Sequence, residues 1–167
     1  MTAPRLSQDH ELKHILVLDF EATCAFDVKG WPNEIIEFPT LAFDLETNSV
    51  THVFHEYVKP VVNPELTDFC TELTGIEQST VDAADTFIPV WDRFLKFLDT
   101  HGFTEENANK FVFLTCGDWD FKTMLPKQIA ISSTPDNPLH LDIRFRRWFN
   151  LKVQFPLVYP DKRRMVA

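Results

Sequence analysis

HILVLDFEA, residues His14 to Ala22, is the stretch on which the fold turns. It opens as a continuous apolar run and reaches its carboxylates, Asp19 and Glu21, only at the end. That is the pattern of a buried central strand whose charges begin where the strand emerges. Residues two apart on an extended chain share a side, so Asp19 and Glu21 point one way and Phe20 the other. Two like charges at the end of a buried strand are costly unless something positive binds them. A divalent cation with a preference for oxygen ligands removes that cost. Taken alone, Asp-x-Glu fits a solvent-facing strand end equally well.

Working outward, a Gly-Trp-Pro-Asn turn at 30–33 leads into EIIEFPTLAFDL (34–45), and Glu46-Thr47-Asn48-Ser49 joins this run to 50–58 as a hairpin. Pro39 inside the first arm predicts an edge position or a bulge. PELTDFCTELTG (64–75) predicts a short helix opened by Pro64 and closed by Gly75, with another turn of helix over 78–85. Over 87–103, Val90, Trp91, Phe94, Leu95 and Leu98 fall on one helical face. KFVFLTC (110–116) is a second buried strand, followed by a helix over 118–132, a loop over 133–138 and a further helix over 139–155. The order predicts an α/β arrangement around a mixed sheet.

The second strand runs straight into Gly117-Asp118-Trp119-Asp120 at the mouth of a helix. Ligands bind at strand ends of open α/β sheets. Asp118 is placed to cap the helix, and Asp120 lies in its first turn. If the two strands are neighbours, Asp19, Glu21 and Asp120 converge at one end of the sheet, the arrangement used for two-metal phosphodiester hydrolysis.

The 167 residues are 44% hydrophobic, enough for one domain with a real core, and 16 Phe and 4 Trp supply much of its volume. Cys24, Cys70 and Cys116 are odd in number and widely spaced, which suggests neither a disulfide framework nor a zinc site. MTAPRLSQDHELK lacks a signal peptide's apolar stretch and no run approaches a membrane span, so an intracellular location is expected. The net charge of −9 opposes a partner as anionic as nucleic acid, but it is uneven. From residue 140 onward Arg144, Arg146, Arg147, Lys152, Lys162, Arg163 and Arg164 face only Asp142 and Asp161, a net +5 against −14 for residues 1–139. The basic end suits a phosphate-contacting surface or a solvated helix face.

Four blocks carry a resemblance: LDFEATC (18–24), NEIIEFP (33–39), LTDFCTELTGI (66–76) and LTCGDWDFKTML (114–125). In this order they resemble the exonucleases that trim histone mRNA and small interfering RNA 3′ ends, in the DEDDh (DnaQ-like) branch of the ribonuclease H-like fold. The resemblance implies an α/β fold with a mixed sheet and flanking helices, and a metal-dependent 3′-5′ exonuclease acting at nucleic-acid 3′ ends, single-stranded RNA above all. It implies Asp19, Glu21 and Asp120 as catalytic metal ligands for two Mg²⁺ or Mn²⁺ ions. It implies Phe69, Leu73, Thr74, Trp119 and Phe121 at the terminal nucleotide, although helical spacing alone would make Phe69, Leu73 and Phe121 core residues. It divides the chain into a tail (1–13), an exonuclease domain (14–155) and a basic tail (156–167).

One block is missing. The family ends with a helix carrying a general-base His and a fourth Asp. After Asp120 the chain has only His140, beside Asp142, which reads as a surface or capping residue. The expectation is therefore a domain incomplete at its C-terminus, without the family's last helix, and weakly active or inactive. The alternative is a catalytically silent module on the same fold that binds nucleic acid or a partner protein.

Overall fold

In the first strand, β1 (His14–Leu18), Leu16 and Leu18 are buried while Val17 between them is 36% exposed. The expected double burial is thus only partial, because helices cover one face of this strand and leave the other partly open. The structure is a computed structural model that describes residues 12–160. The expected tail up to residue 11, and Lys162, Arg163 and Arg164 of the basic end, lie outside the described residues.

β1 pairs antiparallel with β3 (Ile35–Asp44) and parallel with β5 (Phe111–Thr115). β2 (Glu21–Ala22) continues beside β3 in the register of β1, with Leu18 opposite Thr40 and Glu21 opposite Glu37. β4 (Ser49–Tyr57) completes the hairpin on the other edge of β3, and β6 (Trp148–Asn150) adds to β5 in parallel. The described residues thus build a six-stranded mixed sheet. Pro39 sits inside β3 with strands on both sides, at neither the edge nor the bulge that its sequence position suggested. The register places it opposite Asp19, where no ladder pairing joins the strands. A residue without an N–H is tolerated there because the neighbouring strand is interrupted.

α3 (Phe87–Thr100) buries Phe87, Val90, Trp91, Phe94 and Leu98, the i, i+3, i+4 stripe of an amphipathic helix. Phe94 meets Phe38 at 4.4 Å, Phe54 at 5.0 Å and Phe145 at 6.0 Å between ring centroids, so the core is largely aromatic. Each such ring contributes roughly 1.5–3 kcal/mol of burial. A second, smaller cluster of Ile36, Cys70, Ile76 and Val81 lies apart from this core. Adjacent Ile35 and Ile36 are both fully buried, one in each cluster, so β3 is covered on both faces at this end.

α1 (Asp68–Thr74) begins later than Pro64 suggested. Gln78 Oε1 accepts from Leu66 N at 2.8 Å and Gln78 Nε2 donates to the Pro64 carbonyl at 2.9 Å, which holds 64–66 out of the helix. Thr67 caps it by accepting from Cys70 N at 3.0 Å. Gly75, at φ 73°, ends it in the left-handed conformation that glycine adopts without strain. α2 (Gln78–Asp82) follows. Buried Glu34 accepts three successive backbone N–H groups, Val61 at 2.9 Å, Val62 at 2.7 Å and Asn63 at 3.0 Å, and so anchors the segment entering α1 to the start of β3.

The helix expected over 139–155 does not form. A 3-10 turn (Ile143–Arg146), β6 and α5 (Leu151–Val158) take its place. Local pattern loses here to distant partners. Arg144, with its side chain only 6% exposed, donates to Asp99 and to Asp142 at 2.7 Å each, and to the Phe103 carbonyl at 3.1 Å. Phe145 packs against Trp91 and Phe113 at 5.1 Å. Among the described residues no helix is long and apolar enough to cross a membrane.

Candidate active site

Because β1 and β5 are parallel neighbours, with Val17 opposite Leu114, Asp19 and the 117–120 turn leave the sheet side by side at the carboxyl end of both strands. Gly117 makes the turn at φ 125°, and its carbonyl accepts from Thr115 Oγ1 at 2.6 Å. The chain then enters a widened π-type turn (Asp120–Met124) before α4 (Leu125–Ser132). Asp120 is 3% exposed, and its Oδ1 accepts from Phe20 N at 2.9 Å. That bond spans the strand junction and fixes the third carboxylate against the first two. Phe20 itself packs inward on Phe38, at 4.7 Å between centroids, as the period of two requires.

Glu21 stands opposite Glu37 in the β2–β3 ladder, and directly opposed residues share a face. Glu37 therefore joins the cluster as a fourth carboxylate, and His55 Nε2 lies 2.6 Å from its Oε1. Burial raises the carboxyls of Asp19, Glu21 and Asp120 above the ordinary range. Glu37 adds to the shift of Asp19; Asp19, Glu37 and Asp120 add to that of Glu21; Asp19 adds to that of Asp120, while hydrogen bonds from backbone N–H groups oppose it. Burial and repulsion thus work in the same direction, and a cation relieves both. Among the described residues no three His, Cys, Asp or Glu side chains suffice to hold an ion by themselves. The all-oxygen donor set still fits magnesium or manganese in kind, since such ions take a few carboxylates and complete their shell with water and substrate phosphate.

Phe69 is half-buried on α1, Leu73 is 66% exposed and Trp119 is 43% exposed. The Thr74 hydroxyl is engaged locally, donating to the Cys70 carbonyl at 2.8 Å and accepting from Ile76 N at 3.2 Å. α1 is joined to the strand that carries Glu21: Thr67 Oγ1 donates to the Cys24 carbonyl at 2.7 Å, and Cys70 Sγ lies 3.6 Å from the Ala22 carbonyl. The Cys24 thiol is pushed up to about 12 by burial, by its hydrogen bond with Cys70 and by the nearby charge of Glu21.

Two expectations are corrected. Phe121 presents no open face: it is 2% exposed, packed on Phe113 at 5.1 Å and Trp148 at 5.7 Å, because the π-type turn directs it into the core. Asp118 does not cap a helix with its side chain; its Oδ1 accepts from Trp148 Nε1 at 3.1 Å and Asn150 Nδ2 at 2.8 Å and so holds β6. His140 is exposed. Glu37 and His55 are not among the residues that the sequence singles out, because the pairing that sets Glu37 opposite Glu21 is contained in neither strand's own pattern.

Residues 16–154 match the RNase_T family, described as Exonuclease. The chain belongs to this exonuclease family. It is 45% identical to the ERI1 exoribonuclease 3 of Homo sapiens over 139 residues, covering 83% of this chain and 39% of that protein. A solved nuclease domain of 3′hExo, described as a DEDDh family member bound to rAMP, superposes with a TM-score of 0.83 at 32% identity, over 93% of this chain and 75% of the other. A 3′-exonuclease solved for 3′-end specific recognition of a histone mRNA stem-loop gives 0.82 at 31%, over 95% and 68%. The chain therefore has the DEDDh, ribonuclease H-like fold, and it spans about two fifths of the length of the exoribonuclease relative from Homo sapiens that it matches.

Proposed function

We propose that this chain is a metal-dependent 3′-5′ exonuclease domain, residues 14–155, acting on the 3′ end of single-stranded RNA inside the cell. The observation that carries the proposal is the Phe20 N–H to Asp120 bond, which brings a carboxylate from beyond β5 to the carboxylates at the end of β1. Asp19, Glu21 and Asp120 are the residues that would hold the cations, Mg²⁺ or Mn²⁺. When bound, such ions supply an activated water and stabilise the leaving oxygen of the phosphodiester. The chain's own part is to fix the carboxylates and to seat the terminal nucleotide with Phe69, Leu73, Thr74 and Trp119. RNA is favoured by relatives named as exoribonucleases and by the neighbour solved with rAMP. Stacking and apolar contacts suit a site that must accept successive nucleotides without reading their sequence.

The second reading, a silent nucleic-acid-binding or partner-binding module on the same fold, is favoured by one observation: Glu37, which stands opposite Glu21, already has a protein partner in His55 Nε2 at 2.6 Å. Labelled single-stranded RNA separates the two. We expect slow shortening from the 3′ end that needs Mg²⁺ or Mn²⁺ and falls to background in Asp19→Ala. Tight RNA binding that is indifferent to both the metal and Asp19→Ala would establish the silent module instead.

A further inference from the structure

Phe26 is 76% exposed, a large apolar ring with no core to enter. Its sole aromatic neighbour among the described residues is Phe69, met edge to face at 5.6 Å and 62°. That geometry leaves a face of Phe26 open. The stem of its loop is held on both sides. Thr23 Oγ1 accepts from Glu34 N at 3.0 Å, the Thr23 carbonyl accepts from Asn33 Nδ2 at 2.7 Å, and the Cys24 carbonyl accepts from Thr67 Oγ1 at 2.7 Å. Immediately after Phe26 the chain turns back at Asp27, which takes a left-handed φ of 53°. The ring is therefore presented from a fixed stem, five positions beyond Glu21 and beside Phe69 of α1.

We infer that Phe26 is a further substrate-binding residue, stacking on an unpaired nucleobase close to the 3′ end. The inference rests on the nuclease reading above and extends its apolar platform from α1 onto the loop after β2. A base is the occupant that the surroundings favour. Phe26 meets Phe69 of α1, and α1 is tied to the Ala22 and Cys24 carbonyls directly after Glu21, so the exposed ring stands on the stretch of chain that leads away from the carboxylates, where the last bases of a strand held at Asp19, Glu21 and Asp120 would run. An aromatic face accepts any base, as repeated cleavage along a strand requires.

The test measures the binding of single-stranded RNA ending in phosphorothioate linkages, by fluorescence anisotropy in Mg²⁺, for the unaltered chain and for Phe26→Ala, Phe26→Leu and Phe26→Trp. Phe26→Ala is expected to raise Kd roughly tenfold, Phe26→Trp to stay within about twofold, and Phe26→Leu to fall between them. Melting temperature should not drop in Phe26→Ala, because the ring is exposed. With an abasic nucleotide at one of the last three positions, the difference between the unaltered chain and Phe26→Ala should vanish; elsewhere in the strand it should persist. Equal binding by Phe26→Ala, or a Phe26→Leu that binds as the unaltered chain does, overturns the stacking role and leaves the nuclease reading standing. A difference that survives abasic substitution at all three positions overturns it too. Failure of the unaltered chain to bind RNA at all overturns both.

Discussion

At the carboxyl ends of β1 and β5, strand pairing and one backbone hydrogen bond place three carboxylates together. The segment from residue 139 to 158 joins the sheet only through the three residues of β6 and is otherwise held by partners far away in sequence: the Asp99 carboxylate for Arg144, the Asp118 carboxylate for Trp148 and Asn150, and the Ala108 carbonyl for Arg147 at 2.7 Å. Asp118 and Asp120 stand two residues apart and serve one region each. Asp120 turns toward Phe20 and the acidic cluster, whereas Asp118 turns toward β6. The contrast teaches that a periodic pattern positions a site when the ladder itself sets the geometry, and that it misleads when a segment's fold depends on partners which the pattern does not contain.

The sharpest way to break this division is Asp120→Asn. The amide oxygen can still accept from Phe20 N, so the fold should hold, while metal-dependent shortening should fall on the order of a thousandfold. Melting temperature in the absence of divalent ions should be unchanged or higher, since an acid whose buried, repelled carboxyl is raised is removed. An active Asp120→Asn would take the carboxylate end of the sheet out of the chemistry.

Asp118→Ala tests the other side. Losing the acceptor for Trp148 and Asn150 should cost about 1 kcal/mol and roughly 3 °C in melting temperature, with the shortening rate within about twofold of the unaltered chain. A rate collapse without loss of stability would move Asp118 into the site.

These two residues also mark what was legible. The HILVLDFEA run predicts a strand ending in carboxylates and KFVFLTC a second buried strand, because both carry the apolar run of a sheet interior; that the two lie side by side and parallel is set by the pairing. The hairpin and α3 were equally plain from turn residues and from the Val90, Trp91, Phe94, Leu98 stripe. What the sequence hid was pairwise. Leu139 to Phe155 has residues that suit a helix, yet Arg144 finds its carboxylates at Asp99 and Asp142 and Phe145 finds its place among Trp91 and Phe113. For Phe121 the helical spacing gives the core position that the structure shows, and it is the resemblance that points to the nucleotide. Pro39 suits an edge or a bulge by its sequence, and its place inside β3 follows from the break in the adjoining strand at Asp19 and Phe20, which only the register contains.

The smallest expected effect lies at the far end of β1. His52 stacks on His101 with centroids 3.8 Å apart, near His14, which pairs with Asp44 at 3.2 Å. Burial, then His101 and His14, hold His52 below its ordinary value. As pH falls, the unfolded chain takes up this proton first, so the contribution is complete above about pH 6.5 and is lost as pH drops through the folded value. Melting should therefore lose a degree or two more between about pH 7.5 and pH 5.5 in the unaltered chain than in His52→Gln. Equal slopes would mean that the stack carries no proton linkage.

The bond from Phe20 N to Asp120 joins residues 100 apart in sequence, and between them lie the hairpin, α1, α2 and α3. Closing so long a loop comes late in folding, because its entropy cost must be met before the contact exists. A chain that has formed only its hairpin would display Asp19 and Glu21 without their third partner. The third carboxylate therefore joins Asp19 and Glu21 only once β5 has docked beside β1, which makes the acidic cluster a product of the finished sheet and not of any one local segment.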